Sequence, residues 1–443
     1  MGQAQIQKQK EKRKIGFLMS TSLVIGNMTG SGIFLLPAAL ASFGGISLFG
    51  WIFTLAGSLF LAMVFSRLSR IITRAGGPFT YTRAGFGDFA GFLVAWGYWI
   101  SIWCGNAAIA VAGVGYLSYF IPSLKENQML SAAAAVAAIW FFTWVNTKTI
   151  RKVGMVQLLT TLLKIVPLLL MGTLGFLHFD RIHFSPLNLS GESAFDAVTA
   201  TAALTLWAFL GLESATIPSD KVQNPQKTIP RATLTGISIA ALLYISSTVG
   251  VMGIMSPAEL QQSAAPFSDA AGKIWGTRSS GLIAAGAAIA CFGALNGWIL
   301  LQGQIPLAAS RDRLFPSVFM KVSRTGIPVP GILIASVLAT VLVGFNYTRG
   351  LVKMFSFIIM LSTLSCLLPY LFSSLVELSL YLKRKRPHSR QKLITAGIVG
   401  IPAFLYSLWA VSGQAGEVIL WGSILLSAGI PFYLYLQHTS KKP

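Results

Sequence analysis

Charge is scarce in this chain. Asp, Glu, Lys and Arg make up 11% of its 443 residues, and just 13 are acidic; soluble domains carry about 25% charged residues. Cysteine is rarer still. Cys104, Cys291 and Cys366 are the only three, too few for a disulfide framework, and each falls inside an apolar run, where it reads as a packing residue. Of the four histidines, His178 and His183 share one loop and His388 and His438 lie at the ends of runs. No metal-ligand spacing and no catalytic triad can be assembled from them, so enzymatic chemistry is not expected. There is no G-x-x-x-x-G-K-[ST] loop, which removes ATP as an energy source and leaves no cofactor to expect.

Apolar residues fill the space that charge vacates. The chain is 54% hydrophobic with mean hydropathy +0.68, a polytopic membrane composition. Runs of about 18 or more apolar residues predict twelve spans, at 16–39, 46–66, 89–120, 129–147, 154–177, 197–217, 232–255, 281–307, 328–346, 351–377, 394–412 and 417–437. The polar stretch 1–14 reads as a cytoplasmic tail, because the run behind it is too long for a signal-peptide core.

The net charge of +21 would suit a nucleic-acid binder, but its placement excludes that reading. Most of the 34 Lys and Arg fall in alternate loops, including Arg67, Arg70, Arg74 and Arg83 after the second run and Lys383 to Arg386 after the tenth. This is the positive-inside pattern, which predicts both termini in the cytoplasm and lipid headgroups as partners of the basic clusters.

Within span one, residues 26–37 contain Gly26, Gly30, Gly32 and Pro37. Each interior glycine costs about 1 kcal/mol of helix propensity relative to alanine, so the helix is expected to break there. A break at mid-depth creates a half-helix N-terminus whose free N–H groups and positive dipole end can hold a carboxylate. The layout recurs in span six, where Gly211 is followed seven residues later by Pro218, as Gly30 is by Pro37. Five spans separate the copies, so the second enters from the opposite side. Two inverted five-helix repeats, about 15–177 and 197–377, form a ten-helix core at 15–377, and 378–443 adds two helices and a cytoplasmic C-terminus. Antiparallel breaks offer donors to one end of a zwitterion and acceptors to the other. Trp207 and Trp298, within spans six and eight, are either walls that close over a ligand or core packing.

Two charges lie deep inside spans, away from their ends, where an unpaired charge costs several kcal/mol. Glu213, beside the break in span six, is either a protonation switch or a permanent hydrogen-bonded brace. Lys164 in span five can release its proton when buried, or stand where a sodium ion would bridge spans one and five; snorkelling or a structural ion pair are its plainer readings.

The run 26–38, the segment from Tyr98 and Trp99 to Gly105 and Asn106, and 207–215 followed by Asn224 and Pro225 resemble the amino acid–polyamine–organocation superfamily. Within it the chain is most similar to basic amino acid/polyamine antiporters, the arginine/agmatine and lysine/cadaverine exchangers. The resemblance implies an all-α transporter of twelve helices with discontinuous helices one and six. It places the substrate carboxylate at Ser31 and Gly32, and the α-amino group around Trp207, Ala208 and Leu210. Asn106 and Ser362 would approach the substrate side chain, with Asn27, Met28, Ser101 and Trp298 completing the binding set. Tyr98, Glu213 and Lys164 would serve gating or proton coupling. Ser101, Ile102, Ile109 and Ala208 depart from the antiporter pattern. The expected activity is exchange of a cationic amino acid such as arginine for an internal amine such as agmatine across the bacterial inner membrane. Proton-coupled transport of neutral amino acids is the alternative, favoured by Lys164, and an amino acid sensor is a further one. The partners expected are a small amino acid or amine and membrane lipid, with room for a homodimer and none for nucleic acid.

Overall fold

The computed structural model describes residues 16–30, 32–74, 76–147, 164–217, 219, 222–323, 326–383 and 389–440. Among these, eleven helices are long and apolar enough to cross a membrane, and the apolar helix Lys164–His178 occupies the position of span five. The first half of that expected span, from 154, lies outside the described residues. No β-strand occurs among the described residues; the chain is an all-helical, multi-pass membrane protein. The edges differ from the hydropathy reading where polar residues extend a helix beyond its apolar core. Span seven starts at Pro225 rather than 232, launched by Asn224 in the left-handed conformation with proline at the first helical position, where its missing N–H costs nothing. Between spans two and three a short helix, Pro78–Phe86, stands where the sequence suggested only a loop.

Both expected breaks are present. Span one is two helices, Phe17–Met28 and Gly32–Leu40. The N–H and side-chain hydroxyl of Thr29 both turn back to the carbonyl of Ile25, and the N–H of Gly30 bonds Met28 O at 2.6 Å, which ends the first half. In span six the helix Ala194–Leu206 tightens to a 3-10 turn at Trp207–Phe209 and then goes extended at Leu210. Gly211 follows at φ +97°, a conformation that glycine adopts without steric cost.

The packing repeats when five is added to each span number. Spans one and seven pack together, as do six and two; three packs on four, as eight does on nine; three packs on nine, as eight does on four. Spans two and seven, three and eight, and four and nine pair with their own counterparts. Each contact thus has its symmetry mate, the arrangement an internal two-fold between inverted repeats requires. Span three is buried nearly all round, while span twelve is largely exposed at the rim, seated against spans three and ten by contacts such as Trp96 Nε1 to Leu425 O at 2.9 Å.

Candidate functional site

The two breaks meet at one cavity. Asn27, Met28, Gly30 and Gly32 line it from span one, and Trp207, Leu210 and Glu213 line it from span six. Span three presents Tyr98, Ser101, Ile102, Gly105 and Ile109, residues three or four apart that share one helix face. Trp298 of span eight and Ser362 and Cys366 of span ten complete the wall. At about 30 Å³, the cavity holds roughly two waters, far less than an amino acid.

Trp207 stands between the walls given by spans one and three. The indole lies in a slot between two glycines: a Cβ on Gly32 would sit 2.1 Å from Trp207 Nε1, and one on Gly105 would sit 2.9 Å from the far edge of the ring. A second close approach holds the other aromatic wall, where Trp298 Nε1 donates to Asn27 O at 3.3 Å. Spans three and ten are tied by Ser362 Oγ donating to Ser101 O at 2.6 Å, with the two hydroxyl oxygens 3.2 Å apart.

Glu213 is fully buried, and two hydroxyls hold it. Tyr98 donates to Oε1 at 2.5 Å and Tyr370 donates to Oε2 at 2.9 Å. A buried carboxyl needs such partners, since an unsatisfied one loses its hydration uncompensated. Tyr370 is absent from the sequence-based set. Its signal was available, because Ser362, Cys366 and Tyr370 step by four along one face of span ten.

Three further candidates, Ala208, Asn106 and Lys164, do not line the cavity. Ser31 is outside the described residues. Ala208 is buried in the 3-10 turn of span six without lining the cavity. Asn106 also stands behind the wall, its Nδ2 bonded to Gln302 Oε1 at 2.6 Å. Gln302 in turn donates to Ser336 Oγ at 2.8 Å, and Ser336 meets Thr143 at 2.6 Å, so Asn106 heads a polar seam linking spans three, eight, nine and four. Lys164 is fully buried and donates from Nζ to Gly26 O at 3.3 Å. This bond joins span five to span one just ahead of its break. Among the described residues Lys164 forms no ion pair. Cys104, Cys291 and Cys366 are buried free thiols, and Cys366 is also cavity lining rather than packing alone.

A small central cavity between two interrupted, inversely related helices defines a membrane transporter rather than an enzyme. The model of the amino acid permease family matches residues 15–435, and the chain belongs to that family, within the amino acid–polyamine–organocation superfamily. It is 36% identical over 334 residues to the cadaverine/lysine antiporter of Escherichia coli K12, covering 74% of each chain. With the putrescine transporter PotE of Haemophilus influenzae it shares 31% identity over 429 residues, 97% of this chain and 98% of that one. The crystal structure of a mutant manganese transporter from Eremococcus coleocola superposes with a TM-score of 0.58 at 14% identity, covering 94% of this chain and 93% of that one; this likeness is one of fold alone.

Proposed function

We propose that this protein exchanges a cationic amino acid for an organic amine across the bacterial inner membrane, by alternating access to the central cavity. The observation that carries the reading is the meeting of the two breaks. The half-helix starting at Gly32 directs its first N–H groups, which have no partner within the helix, to the side where a carboxylate would bind. The extended backbone at Leu210 offers its carbonyl to the α-amino group, and Trp207 and Trp298 offer faces to a cationic side chain. The cavity is smaller than any such substrate, so binding must displace a wall, which couples loading to the change of access.

Arginine/agmatine and lysine/cadaverine are the two candidate pairs. The names of the relatives favour the lysine-type pair and other diamines. Counterflow in proteoliposomes tests this: vesicles loaded with cadaverine, agmatine or putrescine should take up labelled lysine or arginine. Uptake of labelled alanine instead, with no exchange of either basic amino acid, would sink the proposal.

A second reading rests on Lys164. Its contact with Gly26 O supports an ammonium that takes the part of a sodium ion between spans one and five, which suits proton-coupled transport of neutral amino acids. On that reading Lys164→Gln abolishes the dependence of uptake on a pH gradient. On the exchange reading, amine-driven counterflow in this variant persists.

A further inference from the structure

A second cavity, of about 470 Å³, lies between spans one, six, ten and the turn after span eleven. It opens on the cation-poor face. Its walls continue those of the central site: Ala39 is two turns along the helix from Gly32, Leu204 is one turn before Trp207, and Met360 is beside Ser362. Ser356 and Ser362 are separated by roughly 9 Å of helix rise. The cavity therefore lies along the same three spans, just outside the central wall.

Half of the residues that line it are apolar, and the polar groups among the rest present mostly acceptors. Glu192 and Asp196 stand at its rim, and the Glu192 carboxylate has no hydrogen-bond or ion-pair partner among the described residues. The hydroxyls of Thr199, Ser356 and Ser412 donate to carbonyls of their own helices, at 2.7, 2.9 and 2.6 Å, which leaves their lone pairs for the cavity. Gln414 is the most telling lining residue. It is 5% exposed, its Nε2 reaches back to Ala410 O, and its Oε1 has no partner. A buried amide oxygen left unpaired is destabilising, and a donor bound in the cavity would remove that penalty. The cation at this end of span ten, Arg349, is bonded to Glu417 and covers the Phe357 ring at 4.4 Å; Lys353 is exposed and does not line the cavity.

Two carboxylates, hydroxyl lone pairs and an unpaired amide oxygen call for a ligand made of donors with positive charge. An alkylammonium group has three N–H donors and no acceptor. We propose that this cavity is a second, peripheral amine site, where the primary ammonium of an organic cation docks on Glu192, Asp196 and Gln414 Oε1 before moving inward to the central cavity. The inference rests on the amine-exchange reading for its choice of ligand, but its residues are distinct from the central ones.

The test is equilibrium binding of radiolabelled cadaverine to the full chain in nanodiscs, for the wild type, Glu192→Gln, Gln414→Leu and Trp207→Ala. Two classes of site are expected. Glu192→Gln and Gln414→Leu should each weaken one class about tenfold, the effect of losing one charge-assisted hydrogen bond, and raise the KM for cadaverine uptake from the cation-poor face with kcat held. Trp207→Ala should remove the other class. Gln414→Leu should keep or raise thermal stability, since it deletes an unsatisfied acceptor; were that variant misfolded, Glu192→Gln at the rim carries the same test. A single class, lost in Trp207→Ala and untouched by the other two variants, overturns the inference. So does equal displacement of the second class by sodium and by methylammonium at matched ionic strength, which would reduce the site to simple charge. Absence of the central class from the wild type, with the peripheral class present, would count against the exchange reading alone.

Discussion

Gly32 and Gly30 are two residues apart in the same break, yet they do different things. A side chain at Gly32 would meet the Trp207 ring at 2.1 Å, whereas one at Gly30 would meet nothing closer than 3.9 Å. The Trp207 ring is already held on its far side by Gly105, so it cannot withdraw. Gly32→Ala is expected to cut transport at least about tenfold and to cost about 1–3 kcal/mol of stability as overpacking, while Gly30→Ala stays near wild type. Uptake in proteoliposomes and thermal unfolding of both variants check this contrast; equal behaviour would show that Trp207 does not need its slot. Both glycines look alike in the sequence. Only the position of a tryptophan 175 residues further on separates them.

At the scale of elements, the loop between spans seven and eight is stapled by one carboxylate. Glu259 is the third residue of the helix Pro257–Gln262 and closes a capping box with Ser256. It also meets Lys273 of the helix Pro266–Trp275 at 2.7 Å. Lys273, then the N–H and hydroxyl of Ser256, hold the Glu259 carboxyl down at about 2. A depressed carboxyl contributes stability that is present above its unfolded pKa, near 4.3, and is lost as pH falls through the folded value. Both side chains are more than two-fifths exposed, so solvent screens the pair and its worth is about 0.2–1 kcal/mol. Glu259→Gln should therefore lower stability by that much at neutral pH, and the difference should shrink between pH 4.3 and 2, as acid titrations of unfolding would record. The sequence made the two spans around this loop legible through their apolar length. The loop helices escaped notice because they are short and mixed in polarity, as did Pro78–Phe86, and their ends are set by caps and ion pairs.

For the molecule as a whole, closure on the arginine-rich face is built in two layers. Nearest the cavity, Tyr98 and Tyr370 clasp Glu213. Two turns further along span ten, Glu377 takes a bidentate pair from Arg67 of span two, at 2.6 and 2.7 Å. Asp312, after span eight, receives Arg74 at 2.6 Å and Arg83 at 3.3 Å. These bonds tie spans of both repeats, so opening this face must break them. Glu377→Gln should weaken the closed state by about 1.5–3 kcal/mol, the range for hydrogen bonds to charged groups. A cysteine introduced at Ser101 should then react faster with a thiol reagent applied from that face; unchanged labelling would mean that the pair holds no closure. The arginines were visible in the sequence as topology signals. Their second use, as partners of two of the few acidic residues, depended on which loops fold together.

Apolar run length and the two glycine-proline interruptions were enough to predict an all-helical, multi-pass fold with breaks in spans one and six, because lipid leaves a backbone few alternatives to an unbroken helix. The clasp on Glu213, the seam that takes Asn106 behind the wall, the indole slot and the outer cavity were decided by tertiary structure alone. Each joins residues from separate spans, and hydropathy says how deep a residue lies without saying which neighbour its side chain will meet.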